Sequence, residues 1–184
     1  MIVIVGGSAS GKSTLVRDLA AFDSEYRRVV TYTTRPKRDN EVDGVDYHFV
    51  TRERFEELRK QGFFAECNVY REWWYGTAAE DCVDDDHVIA VLTPAGLREL
   101  VRRGVKVLSV YLYVSRKARL MASLKRGDNV DEAYRRNLSD VGQFDAVEDE
   151  VTAVIDNADM ELPEASVLNI LLRIIKAYKD GELK

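Results

Sequence analysis

A chain of 184 residues with 46% hydrophobic and 32% charged side chains and only three prolines has the make-up of one globular domain, which excludes a disordered or fibrous chain. Its formal net charge of −5 argues against a broad nucleic-acid surface and leaves anion binding to local basic clusters. Cys67 and Cys82 lie far apart and read as reduced intracellular thiols, and the N-terminal apolar run is too short for a signal peptide or a membrane span, which points to the cytoplasm with no membrane partner.

The first element is a run of β-branched residues, Ile2 to Val5, that reads as a buried strand. Leu15, Val16, Leu19 and Ala20 then recur at helical spacing, so a helix begins at about Ser13. Between the two, Gly6-Gly7-Ser8-Ala9-Ser10-Gly11-Lys12-Ser13 fits the pattern G-x-x-x-x-G-K-[ST]. Glycines let such a loop curl until successive N–H groups face one anion, Lys12 reaches the β and γ phosphates, and Ser13 offers its hydroxyl to Mg²⁺. The positive end of the following helix adds to the attraction. Strand, loop and helix in this order are the context the motif requires, and nucleotide chemistry is the first functional expectation.

Further along, Val29–Tyr32, Val88–Leu92, Val105–Val114 and Val151–Ile155 are strand candidates separated by amphipathic segments, the alternation of a parallel α/β sheet. The exception lies between about Thr31 and Thr77. There, short strands at Tyr47–Val50 and Phe63–Glu66 surround one helix, Arg52–Gln61, capped by Thr51, and the segment reads as an antiparallel insert. Thr93-Pro94 predicts an N-cap and a first helical residue ahead of Leu97, Leu100 and Val101. Ser115 is placed to cap the next helix and Pro163 the last, whose inner stripe is Leu168, Leu171, Leu172 and Ile175.

Within the insert, Arg35-Pro36-Lys37-Arg38 sets two guanidiniums three residues apart on a stiffened turn, and their planar forks suit bidentate phosphate contacts. Tyr47 and Tyr75 add hydroxyl donors. A second phosphate site beside a phosphate loop implies two phosphorylated ligands meeting head to head. His48 and His87 have no partner spacing for metal or catalysis and are assigned to packing or the surface. Trp73-Trp74 is assigned to hinge packing beside Tyr75.

In order, Thr33-Thr34-Arg35-Pro36-Lys37-Arg38, then Glu41 through Asp46-Tyr47-His48-Phe49-Val50, then Phe63-Phe64-Ala65-Glu66 and Trp74-Tyr75-Gly76-Thr77, resemble guanylate kinase over residues 1 to 80. The resemblance implies that the insert binds GMP: Arg35, Arg38, Tyr47 and Tyr75 hold its phosphate, Glu66 reads guanine, Thr31 stands where a serine contacts O6, and Thr77 supplies a nearby hydroxyl. It implies an ATP site on Ser8, Ala9, Ser10, Gly11, Lys12, Ser13 and Thr14, with Asn157 of Ile155-Asp156-Asn157 touching adenine and Mg²⁺ as cofactor. A carboxylate at Glu66 suits guanine because N1–H and the 2-amino group are neighbouring donors, whereas adenine has no donor at N1.

Beyond residue 80 the chain departs from that pattern. Where the family has Asp-x-Asp, this sequence has Val91 and Thr93, so Mg²⁺ is left to Ser13, the ATP phosphates and water, and Thr93 offers a hydrogen bond in place of a charge. Lys125-Arg126-Gly127 resembles the entry to the lid and assigns Arg126 to the transferring phosphate. The arginine positions on either side of it fall at Ala122 and near Asn137, which leaves Arg119, Arg135 and Arg136 as candidates, Arg136 being taken as catalytic together with Lys12 and Arg126.

The resulting expectation is a P-loop three-layer α/β/α domain with a central parallel sheet. Its core comprises residues 1–30, 78–124 and 144–184, with an antiparallel nucleotide-binding insert at 31–77 and a short lid at 125–143. The expected activity is transfer of the γ-phosphoryl group of ATP to GMP or dGMP, with these nucleotides rather than nucleic acid as partners. The alternatives are a related kinase with another acceptor and a catalytically weak protein-binding module of the same fold.

Overall fold

The computed structural model describes residues 1–38, 41–70 and 72–183. Its strands are β1 (Ile2–Val5), β2 (Arg27–Arg28), β3 (Tyr32–Thr33), β4 (His48–Phe49), β5 (Phe64–Tyr70), β6 (Trp73–Ala78), β7 (Val88–Leu92), β8 (Leu108–Tyr113) and β9 (Ala153–Asp156). Its helices are α1 (Lys12–Phe22), α2 (Arg52–Lys60), α3 (Pro94–Arg102), α4 (Arg116–Lys125), α5 (Val130–Ser139) and α6 (Glu164–Lys179).

Five strands form a parallel sheet in the order β2-β7-β1-β8-β9. Both faces of β1 are covered. Ile2 and Ile4 pack with Leu15, Val16 and Leu19 of α1 and Leu171 and Ile175 of α6, while Val3 and Val5 pack with Leu97 and Leu100 of α3. That double burial is why Ile2 to Val5 is continuously apolar. The register sets Val5 beside Leu92 and Tyr111, so the strand ends that carry the phosphate loop, Thr93 and Val114 open side by side. Ligand crevices form at this edge of such sheets.

The insert has its own sheet, ordered β4-β3-β6-β5. It is mixed rather than wholly antiparallel: β5–β6 and β3–β6 run antiparallel, but β3 and β4 pair in parallel through Tyr32–His48 and Thr33–Phe49. A parallel neighbour needs a crossover of a dozen or more residues, and the span from Thr34 to Tyr47 is long enough to provide one. Phe55 and Leu58 of α2 pack on Phe64, with the rings of Phe55 and Phe64 stacked 4.5 Å apart, and give this sheet a separate small core.

The caps expected at Thr51, Thr93 and Ser115 are present, their hydroxyls accepting from the N–H groups of Arg54, Gly96 and Ala118. Pro163 holds the N-cap position of α6 through its carbonyl alone, which accepts from Ser166 and Val167. The single strand expected at Val29–Tyr32 is split, because the chain changes sheets there. Val29 N–H still donates to Ile89 of the large sheet, whereas the Thr31 carbonyl accepts from His48 of the small one. The run beginning at Val105 starts as strand only at Leu108, since Val105 N–H closes α3 on the Leu100 carbonyl.

Candidate active site

The phosphate loop joins β1 to α1 with Ala9 and Gly11 at positive φ, 62° and 93°. Such a curl turns consecutive N–H groups inward. The Ser10 hydroxyl is buried and has no hydrogen-bond partner among the described residues. Lys12 folds back so that Nζ donates to the Gly7 carbonyl at 2.7 Å. Burial pushes its ammonium down to about 8, against the opposing charge of Asp140 and with a smaller push from Arg119.

Asp140 and Arg119 stand directly behind the loop. Asp140 accepts from the Ser8 N–H at 2.9 Å and from the Tyr70 hydroxyl, and it pairs with Arg119. Arg119 also donates to the carbonyls of Ser8 at 3.3 Å and Val114 at 3.1 Å. A Cβ at residue 7 would come within 2.3 Å of the Arg119 guanidinium, so any other residue there would displace that guanidinium. Arg119, one of the candidates for the lid, therefore braces the loop from behind.

In the insert, Arg35 is buried under Tyr47 and Phe49, its guanidinium 5.3 and 5.5 Å from their ring centres. It donates to Glu41 Oε1 at 2.7 Å and to the Pro36 carbonyl at 2.8 Å. Arg38 reaches the same carboxylate through its backbone N–H and its guanidinium. Burial, then the neighbouring charges of Arg35 and Arg136, lowers the pKa of Arg38. Three guanidiniums crowd one space, and an added anion would relieve their repulsion. Burial raises the pKa of Tyr47, whose phenol stays a neutral donor beside Tyr75.

Deeper in the insert, Glu66 is almost wholly buried. Its Oε1 accepts from the Thr77 hydroxyl at 2.6 Å and its Oε2 from Asn68 Nδ2 at 2.8 Å. Burial raises its pKa against the pull of those two hydrogen bonds. Helix α3 passes so close that a Cβ on Gly96 would lie 2.8 Å from Glu66 Oε2. Thr93 spends its oxygen on the Gly96 N–H, at 3.1 Å, and donates its proton to Asn68 Oδ1, also at 3.1 Å.

One cleft joins these parts. It is lined by the loop from Ser8 to Thr14, by Thr31, Arg35, Arg38, Tyr47, Tyr75, Glu66 and Thr93, by Val91 in place of an acid, and by Arg126 and Arg136. Thr77 lies outside it, behind Glu66. Arg126 is held by Asp128, and Arg136 by Glu132 at 2.6 Å and Asp128 at 3.4 Å. Arg135 turns outward to Glu132 and Glu72, and Asn137 ties α5 to α4 through both polar atoms of its amide and Arg116. A second cavity beside the loop carries Asn157, Met160 and Leu162, with the Asn157 Oδ1 accepting from the Leu162 N–H at 3.1 Å.

The guanylate kinase family model matches residues 1–176 of this chain. The chain belongs to the guanylate kinase family. Guanylate kinases of Nostoc sp. and Nitratidesulfovibrio vulgaris are 32% and 34% identical to it over 88% of this chain and 83% and 80% of their own. That of Rubrobacter xylanophilus is 31% identical over 95% of this chain and 94% of its own. The crystal structure of guanylate kinase from Anaplasma phagocytophilum shares the fold, with a TM-score of 0.63 at 23% identity over 94% of this chain and 84% of that one.

Within the guanylate kinase fold, several residues that shape this cleft do not stand out from the motifs. Asn68 lies two residues beyond Glu66 on the same strand, a spacing that puts both on one face and could have signalled it. Asp140 gives no local signal, since its partners Ser8, Tyr70 and Arg119 come from three distant parts of the chain. The histidines and one tryptophan pack as expected: His48 stacks on Tyr32, His87 tilts against Tyr26, and Trp74 lies near Phe55 under Arg59, but Trp73 lines the cleft. Both cysteines are free thiols, and burial pushes that of Cys82 up to about 11, far from a reactive thiolate.

Proposed function

We propose that this chain transfers the γ-phosphoryl group of ATP to GMP or dGMP, giving ADP and GDP or dGDP. The observation that carries the reading is the single cleft from the phosphate loop to the buried Glu66, with the guanidiniums of Arg35, Arg38 and Arg136 between. Phosphoryl transfer needs in-line alignment and neutralisation of charge, with no covalent intermediate on the protein. In this reading the loop amides, Ser10 and Lys12 hold the donor phosphates, Arg35, Arg38, Tyr47 and Tyr75 hold the acceptor phosphate, and Arg126 and Arg136 close over the transferring group. Asp128 and Glu132 hold the two lid arginines until phosphate competes for them. Closure of the lid at 125–143 and the insert at 31–77 on the core would exclude water and strengthen every charge interaction inside.

The donor set suits Mg²⁺ carried largely by phosphate oxygens and water: Ser13 is exposed at the loop, and no cluster of His, Cys, Asp or Glu among the described residues could hold a metal by itself. Ser13 would hold the ion, which supplies positive charge to the phosphates. Asn157, beside the apolar side chains of Met160 and Leu162, would face the base of ATP. No helix among the described residues is long and apolar enough to cross a membrane. The nucleotide substrates and two free thiols favour the cytoplasm. A protein-binding module would leave without purpose a loop whose Lys12 lines the same cleft as Arg35, Arg38 and Glu66.

Base recognition supplies the test. Glu66 facing N1–H and the 2-amino group favours GMP over AMP, which would leave a buried carboxylate without donors. Site groups left unpaired discriminate by up to about 10⁴-fold. In Glu66→Gln, where the amide has one acceptor oxygen and no charge, the preference should erode. Measured kcat/KM for GMP, dGMP, AMP, CMP and UMP in both proteins decides it: indifference of the wild type to the base removes the GMP assignment. Arg35→Ala and Arg38→Ala should each weaken GMP binding by about 1.5–3 kcal/mol and ATP binding little. Separate titrations of the two nucleotides check this, and equal weakening of both would move these arginines out of the acceptor site.

A further inference from the structure

We propose that Asn68 determines base specificity by accepting a hydrogen bond from the guanine 2-amino group at its carbonyl Oδ1; the inference rests on the GMP reading above and deepens it. Glu66 and Asn68 leave β5 on the same face and line the cleft together. The amide of Asn68 is fixed from both sides, Nδ2 donating to Glu66 Oε2 at 2.8 Å and Oδ1 accepting from the Thr93 hydroxyl at 3.1 Å. Flipped, it would set its oxygen against a carboxylate oxygen, two acceptors with no proton between them.

Thr93 has no proton left for a ligand, because its only one goes to Asn68 while its oxygen accepts from the N-terminus of α3. Asn68 Oδ1 keeps a second lone pair. The side away from the cleft is closed: a Cβ on Gly96 would lie 2.8 Å from Glu66 Oε2 and 3.3 Å from Asn68 Nδ2. The remaining acceptor capacity of both groups therefore opens on the cleft. Guanine brings N1–H and a 2-amino group with two hydrogens. Glu66 matches N1–H and one amino hydrogen, and Asn68 matches the amino group from the neighbouring position. A neutral amide is apt there, since burial already raises the pKa of Glu66 and a second carboxylate beside it would raise it further.

IMP keeps the phosphate, the ribose and N1–H of GMP and lacks only the 2-amino group, so the ratio of kcat/KM for GMP to that for IMP reads the contacts to that group, and its change in Asn68 variants reads the share of Asn68. The wild type should prefer GMP, and Asn68→Ala should shrink that preference roughly tenfold, the weight of one lost hydrogen bond. A displaced Glu66 would also lose N1–H and lower kcat/KM for IMP, whereas loss of Oδ1 alone should lower kcat/KM for GMP and leave that for IMP nearly unchanged. Asn68→Leu fills nearly the same space with no acceptor and should lose the GMP preference as Asn68→Ala does. An unchanged ratio in Asn68→Ala or Asn68→Leu, or a fall in kcat/KM for IMP as large as that for GMP, overturns the role of Oδ1. A wild type that uses GMP and IMP equally overturns the contacts of Asn68 and Glu66 to the amino group and leaves GMP as a substrate, whereas one that uses neither purine nucleotide overturns the GMP reading itself.

Discussion

A Lys12→Ala variant is expected to lose at least about 10²–10³-fold in kcat while unfolding at nearly the wild-type temperature. The loss follows from where the ammonium sits: it is the cation that the phosphate loop itself carries, and in a site shielded from water such a charge acts far more strongly on phosphate than it would in bulk solvent. The fold should survive, because the bond of Lys12 to the Gly7 carbonyl is a small part of what shapes the loop. The curl is set by the backbone at Ala9 and Gly11 and by the grip of Asp140 and Arg119 on Ser8. Removing a charge that burial already disfavours costs little stability.

The same lysine predicts a pH dependence with a definite sign. Its pKa in the ligand-free protein is pushed down to about 8, so the charged form prevails below that value and is lost above it. For the wild type, kcat/KM for ATP should fall as pH rises through about 8, since that parameter reports the free enzyme. Bound phosphates favour the charged form, and kcat should hold to higher pH. Lys12→Ala should lack this alkaline fall. A folded Lys12→Ala protein with wild-type turnover would remove the loop from the chemistry.

What could be read from the sequence was whatever short-range rules govern. The phosphate loop is a contiguous pattern with its strand and helix beside it, and the caps at Thr51, Thr93 and Ser115 each depend on a hydroxyl three residues before an N–H. The change of sheet at Val29–Thr31 could not be read, because an apolar β-branched run looks the same whether its partners belong to one sheet or two. The arginines of α5 show the same limit. Arg135 and Arg136 are neighbours in sequence, yet the roughly 100° per residue of a helix sends one to Glu72 at the surface and the other into the cleft. Which of them faces inward depends on how Asn137 ties α5 to Arg116, a contact between helices.

Removing the carboxylate of Asp140 should be the most destabilising single change near the site. Asp140→Ala leaves the buried Arg119 without a counter-charge and takes the acceptor from the Ser8 N–H and the Tyr70 hydroxyl, and breaking a buried pair from one side costs about 3–5 kcal/mol. For a chain of this size that corresponds to a fall in Tm of roughly 6–20 °C. Replacing both partners removes the stranded cation, so Arg119→Met combined with Asp140→Ala should be less destabilised than Asp140→Ala alone. Asp140→Asn separates charge from shape, since the amide can still accept from Ser8 but carries no charge. Asp140 raises the pKa of Lys12, so in Asp140→Asn the alkaline fall of kcat/KM for ATP should move below the wild-type position near 8. Thermal unfolding of the single and double variants, with pH–rate profiles of Asp140→Asn, tests both consequences. A double variant less stable than Asp140→Ala would mean that this carboxylate does not balance Arg119, and an Asp140→Asn profile at the wild-type position would mean that it does not set the charge at Lys12.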